Sequence, residues 1–184
     1  MHPTHLLFPS SYFSLHKTDE DLQPEYEAAL ETGLWETVRF SYETWFEGGR
    51  IVLEEAPAGP VCAVYRGWMM QPERYAAFYR QLGEQNIRLV TSPEDYARFH
   101  IFPNIYPSLQ EDTARMLVFP EGTPVDLALV KNTFDRFMVK DFVKSVKGTQ
   151  FPAFFDKSIT QEDFDRHMQD FYRLRGNLYT GGLC

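Results

Sequence analysis

Between His5 and His100 the sequence alternates short apolar runs with helix-like stretches, and this alternation restricts the fold more than any other feature. "HLLFP" has the length and composition of a buried first strand, and "ETVRFSY" alternates apolar and polar residues as a strand does. Between them "LQPEYEAALETG" carries Pro24 near its start and Gly33 at its end, the marks of a helix. "EEAPAGP" reads as a loop leading into "VCAVYRG", a second buried-type strand that stops at Gly67. In "QPERYAAFYRQLGEQ" Tyr75, Phe78, Tyr79 and Leu82 fall at i, i+3, i+4 and i+7, one face of an amphipathic helix. "IRLV" is a short strand, and "SPEDYARFH" opens a further helix with Ser92 as N-cap and Pro93 in its first turn. Strands separated by helices predict a parallel, layered α/β sheet.

The stretch "FPNIYPSLQEDTARMLVFPEGTP" breaks that rhythm with Pro103, Pro107, Pro120 and Pro124. It predicts two units, residues 1–112 and 113–184, joined in the proline-rich region. The second unit reads as a helix in "VDLALVKNTFD", a strand in "RFMVKDFVKS", a loop in "SVKGTQFPAFFDKS" and a helix in "TQEDFDRHMQDFYRLR". That last helix has a capping-box-like start at Thr160 and Asp163 and an apolar stripe of Phe164, Met168, Phe171 and Tyr172. "NLYTGGLC" begins another strand.

With 43% hydrophobic and 16% aromatic residues in 184, a sizeable core is available. The net charge of −8 argues against nucleic acid or an anionic membrane as partner, since both select basic surfaces. Two cysteines, Cys62 and Cys184, make no disulfide framework, so a reducing cytoplasm is the expected compartment. No signal peptide or membrane-spanning run is expected. Walker, Rossmann and nucleophile-elbow motifs are missing from the sequence. His2 and His5 are close but sit at a terminus without partner ligands, His100 and His167 have no acidic or thiol companion at ligand spacing, and no metal site is predicted. Cys62, in an apolar strand, reads as a small core residue.

The chemical signal lies in "RFMVKDFVKS". As a strand it places Phe137, Val139, Asp141 and Val143 on one face and Met138, Lys140, Phe142 and Lys144 on the other. Both faces are apolar enough to be covered, so Lys140 requires an anion. One reading is a carboxylate partner at the sheet margin or a side chain that reaches solvent. The other is a ligand phosphate, favoured by Lys144 and by the Ser145, Lys147 and Thr149 loop that follows. Arg66 ends a buried-type strand, where open α/β sheets bind ligands, and its fork suits a carboxylate or phosphate. Arg175 precedes Gly176 and suits either an anion or the last carbonyls of its own helix.

Taken in order, "LLFPSSYF", "YRGWMMQPERYAAFYRQLGEQNIRLVTSPEDYARFH", "FMVKDFVKS" and "RLRGNLYTGG" resemble an uncharacterised clade of the ATP-grasp superfamily described by two arginines and one lysine. The resemblance spans nearly the whole chain. It implies a pre-ATP-grasp-like α/β domain over 1–112, then the first, lid-type α+β subdomain over 113–184. It implies nucleotide binding by Lys140, Lys144 and Ser145, with Arg66 and Arg175 as the paired arginines of catalysis. The activity implied is ATP-dependent ligation: a small-molecule or peptide carboxylate is phosphorylated by ATP, with magnesium, and an amine or similar nucleophile displaces phosphate. The hinge and magnesium ligands of that superfamily follow the "YTGG" strand, where this sequence ends. The chain is therefore expected to be an incomplete ligase with weak or no ATP binding and self-association through the strand edge. A non-catalytic fragment or binding module that keeps the substrate-side domain is the competing reading.

Overall fold

The computed structural model describes residues 4–144, 146 and 150–184, and the chain divides into two compact units at Tyr96/Ala97. Each unit mixes helices with strands, so the α/β class holds at that level. The division lies upstream of residue 112 because the proline-rich stretch is folded. Phe102–Leu109 is a helix with Pro103 in its first turn, where a missing N–H costs nothing. The backbone N–H of Phe102 donates to the Phe142 carbonyl at 2.8 Å, within the second unit. None of the described helices is long and apolar enough to cross a membrane.

The first unit contains, in chain order, β1 (His5–Ser11), β2 (Ser14–Thr18), α1 (Gln23–Thr32), β3 (Glu36–Phe40), α2 (Tyr42–Gly48), β4 (Val61–Tyr65), α3 (Pro72–Glu84) and β5 (Ile87–Leu89). A further helix, α4 (Pro93–His100), spans the division. Strand β1 is central, parallel to β3 and to β4, with Leu7 opposite both Val38 and Tyr65. Strand β5 extends the sheet beyond β4, again in parallel. The sheet is mixed rather than purely parallel, because β2 folds back antiparallel onto the end of β1, Ser10 facing Thr18.

Local chemistry explains the helices. Gly33 closes α1 at φ 60°, a left-handed cap that a residue with a Cβ adopts only at a cost. Ser41 caps α2 by accepting from the Thr44 N–H at 3.3 Å. On α3 the predicted stripe is buried at Tyr75, Phe78 and Leu82 and half-buried at Tyr79. These residues pack with Leu7, Phe40, Trp45 and Ile87 into one core. Cys62 is buried on β4 as a small apolar residue.

The second unit contains α5 (Phe102–Leu109), β6 (Phe119–Pro120), α6 (Leu127–Thr133), β7 (Arg136–Phe137), β8 (Phe155–Asp156), α7 (Gln161–Arg175) and β9 (Gly182–Leu183). Two antiparallel ribbons, β6 with β9 and β7 with β8, pair its short strands. Thr160 caps α7 by accepting from the Asp163 N–H at 3.1 Å. Phe164, Met168 and Phe171 face the core beside Phe137, Phe151 and Phe155. Tyr172, expected in that stripe, is exposed instead and meets the Tyr179 ring edge-on at 5.3 Å.

The predicted strand from Arg136 to Ser145 is shorter than expected. Beyond β7, among the described residues, an isolated bridge from Asp141 to Leu183 continues it. The face alternation survives that far: Phe137, Val139 and Asp141 are buried, Met138 is exposed and Lys140 is half-buried. The strand ends at Asp141 because its carboxylate captures the next backbone N–H groups, offering the chain a turn in place of a ladder.

Candidate functional site

The second unit encloses a cavity of about 410 Å³, within the size range of small-molecule sites. Its walls are mostly apolar, drawn from α6, β7 and the residues around Phe119, Phe154 and Leu183. Three cations line it: Arg115, Arg136 and Lys140. Among the described lining residues there is no acidic side chain. Each cation lies over an aromatic ring. The Lys140 ammonium is 5.1 Å from the Phe102 centroid, the Arg136 guanidinium 4.3 Å from Phe154, and the Arg115 guanidinium 5.6 Å from Phe134. A ring face attracts a cation without discharging it, so each retains the capacity to pair with an anion. Arg115 also donates to the Thr133 carbonyl at 2.9 Å.

Lys140 is held by its backbone. Its N–H donates to the Cys184 carbonyl at 3.0 Å, and its carbonyl accepts from the Cys184 N–H at 2.9 Å. The Cys184 thiol beside it is pushed up to about 11, first by burial and further by Asp141, against the opposing pull of Lys140. It is therefore a neutral thiol near pH 7, unsuited to nucleophilic attack.

The carboxylate of this segment pairs with an arginine of the same unit. Asp141 is fully buried. Its Oδ1 accepts from the Val143 and Lys144 N–H groups at 2.8 and 2.6 Å, and its Oδ2 accepts from Arg175 Nε at 2.6 Å. Arg175 also donates from Nη2 to the Leu178 carbonyl at 2.9 Å. The sequence marked Arg175 as an anion binder or a helix-end residue. In the fold it holds Asp141 and a carbonyl just past its own helix, and it is absent from the cavity walls. The Lys144 residue is exposed, while its amide is tied to Asp141. Ser145, Lys147 and Thr149 lie outside the described residues, as does His2.

Arg66 belongs to the first unit. Its backbone continues the sheet by donating to the Leu7 carbonyl at 2.8 Å, and its half-exposed guanidinium forks onto both oxygens of Glu25, Nη2 at 3.0 Å. The structure thus gathers Lys140, Lys144 and Arg175 around Asp141 and gives Arg66 a separate carboxylate. Sequence reasoning missed Arg115, Arg136 and Asp141. The first two had no signal beyond neighbouring aromatic residues, whereas the polar Asp141 on an otherwise apolar face was a visible one.

His5 pairs with Glu36 at 3.0 Å, and His100, half-buried, is held below the usual histidine value by burial. Among the described residues no group of three or more His, Cys, Asp or Glu is placed to hold a metal ion. Compared with known proteins, the chain matches no family model, no curated protein and no solved structure.

Proposed function

We propose that the second unit binds a nucleotide, and that the chain belongs to an ATP-dependent ligase of the ATP-grasp type acting on a small-molecule or peptide carboxylate. One observation carries this reading: Lys140, singled out by the sequence, lines a mostly apolar cavity together with Arg115 and Arg136 and with no acidic side chain among the described residues. A purine offers the flat apolar body such walls exclude from water, and a polyphosphate offers an anion to the half-buried Lys140 and the exposed Arg115 and Arg136 at the cavity wall. In the reaction proposed, the carboxylate oxygen attacks the γ-phosphorus and ADP leaves. An amine then attacks the acyl carbon and phosphate leaves. Lys140 stabilises charge on the phosphates, as positioned cations do in phosphoryl transfer. Arg66, held by Glu25 within the first unit, is the residue there whose fork suits a carboxylate. Magnesium would neutralise phosphate charge, but the described residues offer it no ligand set.

The same geometry supports a second reading as a non-catalytic binding module, because the guanidinium groups of Arg66 and Arg175 are both engaged by carboxylates of this chain. The reading further places the protein in the cytoplasm with a nucleotide and a small carboxylate as partners, rather than nucleic acid or membrane, in keeping with its net charge of −8.

Titration of the isotope-labelled chain with millimolar ATP and magnesium tests the proposal. The expected result is a set of amide shifts centred on Phe102, Arg136 and Lys140, with affinity reduced about tenfold, ~1.4 kcal/mol, in Lys140→Met. Equal binding by parent and variant, or shifts confined to residues outside the cavity, removes the nucleotide assignment.

A further inference from the structure

We infer that Asp141 is a positioning residue for this site, and that Arg175 acts by holding Asp141 rather than by touching the ligand. The inference rests on the nucleotide reading of the cavity. Lys140 is the residue immediately before Asp141, and the chain around it is fixed from two directions. On one side Lys140 exchanges both backbone hydrogen bonds with Cys184. On the other, Asp141 turns the chain back on itself: its Oδ1 takes two amides, and its own N–H donates to the Lys144 carbonyl at 3.1 Å. The turn begins one residue past the lysine, so losing it leaves the lysine's backbone held from the Cys184 side alone.

A carboxylate with no exposure holds such a turn only if its charge is matched. Arg175 supplies that match across 34 residues of sequence, with its side chain 11% exposed. Its Nε and Nη2 are committed to Asp141 and Leu178, and it lines no part of the cavity. The pairing has a second effect. Asp141 is the carboxylate nearest to Lys140 along the chain, and Arg175 neutralises it, leaving the Lys140 charge for a ligand.

The test uses the full chain and two readouts, ATP affinity with magnesium and hydrogen exchange of the Val143 and Lys144 amides. Arg175→Gln removes the matching charge. Asp141→Asn with Arg175→Gln replaces the ion pair by a neutral amide pair of similar shape. In the single variant, ATP affinity is expected to fall about tenfold and amide protection by about a hundredfold, while adenosine, which lacks phosphates, binds within about twofold of the parent. The double variant recovers both quantities to within about threefold of the parent. A double variant as weak for ATP as the single one shows that Arg175 touches the ligand and overturns the inference. So does an equal loss for adenosine, which marks a merely structural role, and so does a single variant indistinguishable from the parent. A parent chain that binds no ATP removes the nucleotide reading and, with it, the positioning role, even where exchange shows that the turn depends on the pair. Where Arg175→Gln does not fold, Arg175→Lys keeps the charge, loses the fork and carries the same measurements.

Discussion

In the first unit, β1 gives its backbone hydrogen bonds to β3 on one side and β4 on the other, and the sheet carries most of the organisation. In the second unit every described strand is two residues long, and the backbone between them is satisfied piecemeal by caps, turns and the Asp141 carboxylate. Among the described residues the first core buries Phe40 and Phe78, and the second buries Phe137, Phe151, Phe155, Phe164 and Phe171. The difference is where charge goes. A regular ladder consumes its own polar groups, and the first unit pairs each of these cations with a carboxylate that keeps some exposure: His5 with Glu36, Arg39 with Glu54, Arg66 with Glu25. An irregular backbone needs acceptors inside, and the second unit takes one charge into its interior and matches it with Arg175. Irregular backbone is also what leaves room for a cavity lined by cations.

Truncation of one core residue in each unit gives the largest expected effect on this contrast. Phe78→Ala and Phe171→Ala each remove a fully buried ring and should cost about 3–5 kcal/mol. Trp35, Trp45 and Trp68 all lie in the first unit, so tryptophan fluorescence reports on that unit alone. In urea, Phe78→Ala should move the fluorescence transition. Phe171→Ala should move only the far-ultraviolet dichroism. A fluorescence shift in both variants would show that the units unfold together and would end the contrast in stability.

A smaller effect is expected at the ribbon joining β6 and β9. Gly182 has φ 135°, and a Cβ there would lie 2.4 Å from the Phe119 carbonyl oxygen. Gly182→Ala should therefore cost about 1–3 kcal/mol and weaken the Lys140 pairing with the adjoining Cys184. Unchanged exchange at the Lys140 and Cys184 amides would show that the ribbon does not support the site.

The smallest effect concerns the margin of the first unit. The Glu54 carboxyl is held below its ordinary 4.5, first by the hydrogen bond from Arg39, then by His16. A lowered carboxyl contributes stability above its unfolded value and loses it as pH falls through the folded one. The first unit should thus lose stability below about pH 4.5, more steeply than Arg39→Gln, in denaturant titrations followed by tryptophan fluorescence. Parallel pH profiles for the two proteins would assign the acid sensitivity elsewhere.

What could be read from the residues followed from local rules. The α3 stripe, the Gly33 stop and the Thr160 cap are decided within one or two turns of chain, and the structure has them where the pattern put them. The β2 hairpin and α2 were missed: Ser14–Thr18 shows little apolar alternation, and the Ser41 and Gly49 signals of α2 bound only seven residues. The faces around Lys140 were legible as far as Asp141, but not the turn, because the partner of that carboxylate is 34 positions away. Arg115 and Arg136 become part of a site only when remote segments bring Phe134 and Phe154 beneath them.

The central place of β1 imposes an order in time. Its neighbour β3 arrives after β2 and α1, but β4, which covers its other edge, arrives only after α2 and a long loop as well. Until Val61–Tyr65 has docked, one side of β1 stands open as an unpaired edge, the kind of surface that recruits other chains. Closing that longer connection costs more chain entropy before the pairing returns any enthalpy. Concentration during refolding is therefore a variable that bears on the first unit's sheet before any property of the cavity is measured.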